Sequence, residues 1–340
     1  MDAAFVYAKP QFKSTGLANN TRQCSAVLEE AGWTAVSLAL DDVVGDYQSA
    51  EAWGEWLATA RPRLVVLSAF CVPTVQFEQL AIEWPDVLWV QRCHSNLPWL
   101  FQAATDCDKW LEVLGLCARY RNVRYAVVSP YDAARLRAAG LPDVLSMPNV
   151  QCGEVAERPR AAVHDEQWLH LSAIFAIRNL KHPAGHVVAA KLVSEQVRPA
   201  KLHMQGERAD SPRYVENMLK LANALRLRLV REPYRQHSQF CDWIAEEVDV
   251  GLQLSMTESF NYVALEHMSA GKPMVTSPAI PWCPWRTTRY ENVEEVPAIV
   301  ARILSDYRGA SEQALAAARA IQAENEAMFL ETCRTLLGDG

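Results

Sequence analysis

The sequence predicts an α/β protein made of two parallel-sheet domains in series, with helices closing the chain. Three observations carry that expectation. Short apolar runs alternate with helical patterns along most of the 340 residues. The runs are apolar at successive positions, as in strands covered by helices on both faces of a parallel sheet. The alternation breaks once, between Asn149 and Glu166, where NVQCGEVAERPRAAVHDE is polar and carries Gly and Pro. Such a stretch reads as a linker. The expected division is a first domain at 1–150, a linker at 151–166, a second domain at 167–292, and terminal helices at 293–340 that return to the first domain.

In order, the first series opens with the strand pattern FVYA (5–8), a polar loop containing KSTGLANN, and a helix over about 21–31. TAVSLAL (34–40), RLVVLSAF (63–70), VLWVQ (87–91), RYAVVS (124–129) and VLSMP (144–148) are the next strands, with helical patterns such as SAEAWGEWLATA and PYDAARLRAAG between them. After the linker come WLHLSA (168–173), KLHMQG (201–206), LRLVRE (227–232), VDVGLQLS (248–255) and KPMVTSP (272–278). Helices fill the gaps near 184–197, 212–226, 237–247 and 262–270, and the tail from Val293 has no strand signal.

Composition narrows the function classes. Half the residues are hydrophobic and the formal net charge is -7, so there is no general attraction to polyanions. Nine cysteines, with no CxxC pair, fit a reduced chain, and a cytoplasmic location is expected. The start, MDAAFVYAKP, lacks the basic and apolar regions of a signal peptide. No run approaches the roughly 18 apolar residues that span a bilayer, so no membrane insertion is expected.

In open parallel sheets, ligands bind beyond the carboxyl ends of the strands. Two such domains facing across a cleft would hold a site there. The segment LSMTESFNYVALEHMSAGKPMVT (254–276) is a strand end, a turn and a helix ended by Gly271. Glu258 falls at the turn, and Glu266 about 12 Å further along at ~1.5 Å per residue. That separation suits a ligand with hydroxyls at both ends and a diphosphate between them. The amides of the helix start can take the phosphate charge.

These residues carry a resemblance. LQLSMTESFNYVALEHMSAGKPMVTS (252–277) resembles the E-x7-E segment of retaining glycosyltransferases of the GT-B fold, family four, with two Rossmann-like domains. The resemblance implies that Glu258 contacts the donor sugar and Glu266 the ribose of a nucleotide sugar, a UDP-hexose. Where the family has small glycines, this chain has Phe260, Asn261 and Tyr262, which would also border the donor. Asn tolerates the left-handed backbone conformation nearly as Gly does.

The second domain opens with LHLSAIFAIRNLKHPAGHVVAAKLV, where the family places an Arg and a Lys. Arg178 and Lys181 would neutralise the departing diphosphate without a metal or other cofactor. In VLWVQRCHSN, His94 stands just past a strand, where related enzymes often have a His near donor and acceptor. Gly16 in KSTGLANN could approach phosphate or acceptor. Ser129 and Asn149, in VSPYDAARLRAAGLPDVLSMPNV, match a family segment and read as fold markers. On this pattern no side chain need act as nucleophile, because the leaving phosphate helps to take the acceptor's proton.

The acceptor is open at this level. Compact soluble members from bacteriophages glycosylate hydroxymethylated pyrimidines in DNA, and this chain looks like them. PAIPWCPWRTTRYE (278–291) interleaves Trp282 and Trp285 with Arg286 and Arg289, a composition able to clamp a flipped base or a sugar. Glycan, lipid and small-molecule acceptors stand beside that one, as do a sugar-nucleotide epimerase and a non-catalytic nucleotide-sugar binder. Other patterns fall away. Asp106 and Asp108 of DCD open a helical pattern, where Asp serves the helix N-terminus. His182 and His186 have Pro183 between them and no third ligand, and HExxH, P-loop and GxGxxG patterns are absent.

Overall fold

The structure, a computed structural model, describes residues 1–7, 16–40, 50–102, 104–141, 143–150, 154–159, 161, 167–205 and 212–338. The loop 8–15 and most of the linker lie outside them. Contacts divide the chain into two compact units, one of Met1–Cys152 with Gln322–Gly340, the other of Gly153–Ile321.

In the first unit the elements run β1 (Ala3–Tyr7), α1 (Gly16–Glu30), β2 (Ala35–Ala39), α2 (Ala50–Ala60), β3 (Leu64–Ser68), α3 (Thr74–Glu83), β4 (Leu88–Cys93), α4 (Leu97–Gln102), α5 (Ala104–Arg119), β5 (Val123–Val127), α6 (Pro130–Ala138) and β6 (Leu145–Ser146). The described strands form one parallel sheet of six, ordered β2-β1-β3-β4-β5-β6. Every residue of β1 and β3 is buried, which is why their sequences are apolar without alternation. Trp89 of β4 meets Trp53 and Phe77 edge-on at 6.0 and 6.2 Å, a favoured geometry for aromatic pairs. Asp106 lies in the first turn of α5, where a carboxylate suits the helix N-terminus as expected.

One buried cation organises this unit. Arg92 of β4 is fully buried and every guanidinium nitrogen is bonded. Nε donates to the Met147 carbonyl at 2.9 Å, one terminal nitrogen to Asn20 and Cys24, the other to the Pro148 carbonyl and Asn149. Burying a charge is tolerable only when its donors are satisfied in this way.

The second unit contains β7 (Leu169–Ala173), α7 (Pro183–Gln196), β8 (Ala200–Gln205), α8 (Pro212–Ala224), β9 (Arg228–Glu232), α9 (His237–Glu247), β10 (Val250–Gln253), α10 (Tyr262–Ser269), β11 (Met274–Thr276), β12 (Trp285–Arg286) and α11 (Val296–Ser305). Its described strands form a second parallel sheet, ordered β12-β11-β10-β7-β8-β9. The strand order reverses between β7 and β10, which marks the topological switch point of this sheet, where ligands of open parallel sheets bind. The last helix, α12 (Tyr307–Leu337), passes from this unit into the first. There Phe329 lies 5.9 Å from Phe5, and Thr332 donates to the Ser146 carbonyl at 2.7 Å. No described helix is long and apolar enough to cross a membrane.

Candidate active site

The loops after β7 and β10 meet at the point of strand-order reversal. The Met256 amide donates to the Leu180 carbonyl at 2.9 Å, tying one loop to the other. His186 of α7 fixes the base of the same junction. The Leu254 amide donates to its Nε2 at 2.8 Å, so the ring proton sits on Nδ1, 2.9 Å from the His182 carbonyl. Burial holds this imidazole far below its usual range, at about 3, so it stays neutral. The His182/His186 pair of the sequence is therefore a structural brace.

Glu258 stands on this junction. Lys181 Nζ lies 2.6 and 2.5 Å from its two carboxylate oxygens. Oε1 also accepts from Ser255 Oγ at 2.6 Å and from Asn261 Nδ2 at 2.8 Å. Gln253 donates to Ser255 at 2.8 Å and reaches the same oxygen at 3.4 Å. The Glu258 side chain is 5% exposed, so these bonds hold one orientation in a largely dry setting. Arg178 immediately precedes the short 3-10 turn Asn179–Lys181 that presents Lys181. Beside that turn, a cavity of about 510 Å3 opens between α7 and α8, walled in part by His182, Tyr214, Met218 and Met256.

Asn261 does two jobs. Its Oδ1 accepts from the Ala264 amide at 2.8 Å and caps α10, while its amide nitrogen orients Glu258. Its backbone is extended, with φ at -110°, so the left-handed conformation is not used here and Asn is not standing in for a glycine on that ground. Phe260 stacks on Trp282 at 5.9 Å and meets Tyr262 edge-on at 5.1 Å, building an aromatic wall at the helix entrance.

Glu266, one turn into α10, is buried, and its Oε1 is 2.8 Å from His237 Nε2 at the start of α9. Burial pushes the Glu266 carboxyl up, and His237 acts against that rise. Contacts with Cys241, one turn along α9, and with Glu266 raise the His237 imidazole to about 10. The Glu266 contact is the closer of the two, at 2.8 Å against 3.9 Å for Cys241 Sγ. His237 was not among the sequence candidates, because a lone His at a helix start carries no motif.

The remaining candidates are spread more widely. Trp285, in β12, is a buried core residue of the second unit rather than one offered to a ligand. Arg286 is exposed and donates to the Pro281 and Cys283 carbonyls, bracing its own loop, and Arg289 is exposed. In the first unit, Gly16 is the first residue of α1. His94 follows β4, with its Nε2 buried and unpartnered among the described residues. Burial, and secondarily Arg92, hold that imidazole well below its usual range.

Two parallel six-stranded sheets with surrounding helices are the GT-B glycosyltransferase fold, the fold the resemblance implied. No protein-family model matches the chain, and no curated protein sequence does. Solved structures match over its whole length. A sucrose-phosphate synthase from Thermosynechococcus elongatus superposes with a TM-score of 0.75, over 99% of this chain and 100% of that one, at 15% identity. Anabaena HepE, solved with UDP and glucose, gives 0.67 over 98% and 99% at 14% identity. The lipopolysaccharide outer core galactosyltransferase WaaB gives 0.64 over 98% and 99% at 11% identity. At these identities the likeness is one of fold.

Proposed function

We propose that this chain is a retaining glycosyltransferase that moves a hexose from a UDP-hexose to a hydroxyl acceptor. The observation that carries the reading is the Glu258 node. A carboxylate fixed by Lys181, Ser255 and Asn261 stands at the mouth of a capped helix, at the strand-order reversal of a GT-B fold. The presence of UDP and glucose in the HepE structure supports a donor of that class.

On this reading Glu258 accepts from a hydroxyl of the donor sugar, and Glu266 from the ribose. Lys181 and Arg178 neutralise the diphosphate, so no metal is required for that charge. Lys181 has three donors, and pairing with Glu258 leaves it able to turn one toward phosphate. The bond from the anomeric carbon to the diphosphate breaks, the acceptor oxygen bonds to that carbon on the same face, and the leaving phosphate oxygen takes the acceptor's proton. No covalent enzyme intermediate forms. Phe260 and Tyr262 border the sugar. Eight described cysteines are free thiols, which suits the reducing cytoplasm.

Trp282 with exposed Arg286 and Arg289 makes DNA carrying hydroxymethylated pyrimidines one acceptor to test, beside glycans and small alcohols. The test incubates the protein with UDP-hexoses, with and without each acceptor, and follows products by mass spectrometry. UDP released only with an acceptor supports transfer. Interconversion of UDP-hexose isomers without release identifies an epimerase, and binding without turnover a non-catalytic binder.

A further inference from the structure

Glu266 poses a physical problem that the functional reading alone leaves open. A carboxylate that accepts two ribose hydroxyls must be ionised and correctly turned, yet burial favours its neutral form. Its one bonded partner among the described residues is His237, at 2.8 Å. That histidine is 45% exposed while the Glu266 side chain is 9% exposed, so the imidazole closes the outer side of the carboxylate. Oε2 takes no part in this contact and is left to accept from a ligand.

We propose that His237 is a positioning residue for the nucleotide, holding Glu266 charged and oriented so that it selects a ribose over a deoxyribose. The inference rests on the nucleotide-sugar reading, since the ribose comes with that ligand. Both lone pairs of a correctly turned oxygen matter here. Oε1 can accept from His237 and from one ribose hydroxyl, and Oε2 from the other. A site built to bond a hydroxyl discriminates against a ligand lacking it, because the buried acceptor is then left unpaired.

No other described charge substitutes for His237. Cys241, on the same helix, faces His237 and not the carboxylate. Arg235, just before α9, is bound to Glu232 at 2.7 Å and lies over Trp243. His267, the neighbour of Glu266 on α10, faces Ser172 of β7 at 2.8 Å and the Val263 carbonyl. Lys272, beyond the end of α10, is buried and reaches the Ala161 carbonyl.

The test uses the full-length protein, His237→Gln and His237→Arg. The Glu266 side-chain carboxyl is titrated by carbon-detected NMR without nucleotide, and UDP and 2′-deoxy-UDP are titrated calorimetrically at pH 6 and pH 8. In His237→Gln the carboxyl should titrate at higher pH than in wild type. UDP affinity should fall at least about fivefold, more at pH 6 than at pH 8, and the UDP to 2′-deoxy-UDP ratio should approach one. His237→Arg, which keeps a cationic donor, should restore the ratio. An unchanged Glu266 titration, or an unchanged ratio in His237→Gln, overturns the proposal while leaving nucleotide binding intact. Wild type that binds neither nucleotide overturns the functional reading and this inference with it.

Discussion

At the scale of single residues, the site is a set of carboxylates whose chemistry is set by what touches them. Glu258 is held by four donors, and its replacement should affect reaction more than recognition. Glu258→Gln is expected to lower kcat by about 10²–10³, the size seen when one transition-state electrostatic contact is removed. The Kd for UDP, measured by calorimetry, should stay within about threefold; a loss confined to Kd would reverse the assigned role. His237 makes a separate, pH-dependent contribution to folding. Its folded value, about 10, lies above the ordinary value near 6.5, so its stabilisation is complete below that ordinary value. The stabilisation fades as pH rises through about 10. The Tm difference between wild type and His237→Gln should be largest at about pH 6 and small above about pH 10.5.

At the scale of elements, α10 shows what a sequence discloses and what it hides. The run YVALEHMSAG, with Gly271 at a positive φ of 75°, was legible as a helix with a Gly stop. The motif around them singled out Glu258 and Glu266, and the structure puts the first in the turn before α10 and the second inside that helix. The partner of Glu266 was not, because α9 is brought to α10 only by tertiary packing, and spacing along the chain does not encode that. Asn261 was legible as a departure from glycine, but its second bond, to Glu258, depends on a side-chain direction that a sequence does not state. Ser at this position can cap the helix but cannot supply the amide donor. Asn261→Ser should therefore keep stability within about 0.5 kcal/mol while turnover falls. Asn261→Ala should cost about 1 kcal/mol in urea denaturation as well as turnover. Equal turnover in Asn261→Ser and wild type would remove Asn261 from the site.

At the scale of the whole molecule, two separate parallel sheets carry two separate cores, and the alternation of apolar runs disclosed both. Two features escaped it. β12 is only two residues long, inside a Pro-rich loop, and its formation buries Trp285, which loop composition alone marked as a ligand contact. Arg92 sits in the middle of an apolar strand pattern and gave no sign that it anchors α1 and the Met147–Asn149 segment. Arg92→Met leaves several buried acceptors unmatched and should destabilise the first unit by about 3 kcal/mol or more, read from urea unfolding; a change below about 1 kcal/mol would contradict the anchoring role. The central claim, that this chain grips a nucleotide sugar through carboxylates at 258 and 266 with Lys181 and Arg178 between them, is tested most directly by UDP binding to wild type and Glu266→Ala. Calorimetry should show saturable binding to wild type and a loss of about 1–3 kcal/mol in the variant, the cost of unpaired hydroxyls. No binding to wild type, or the same Kd in both proteins, would contradict it.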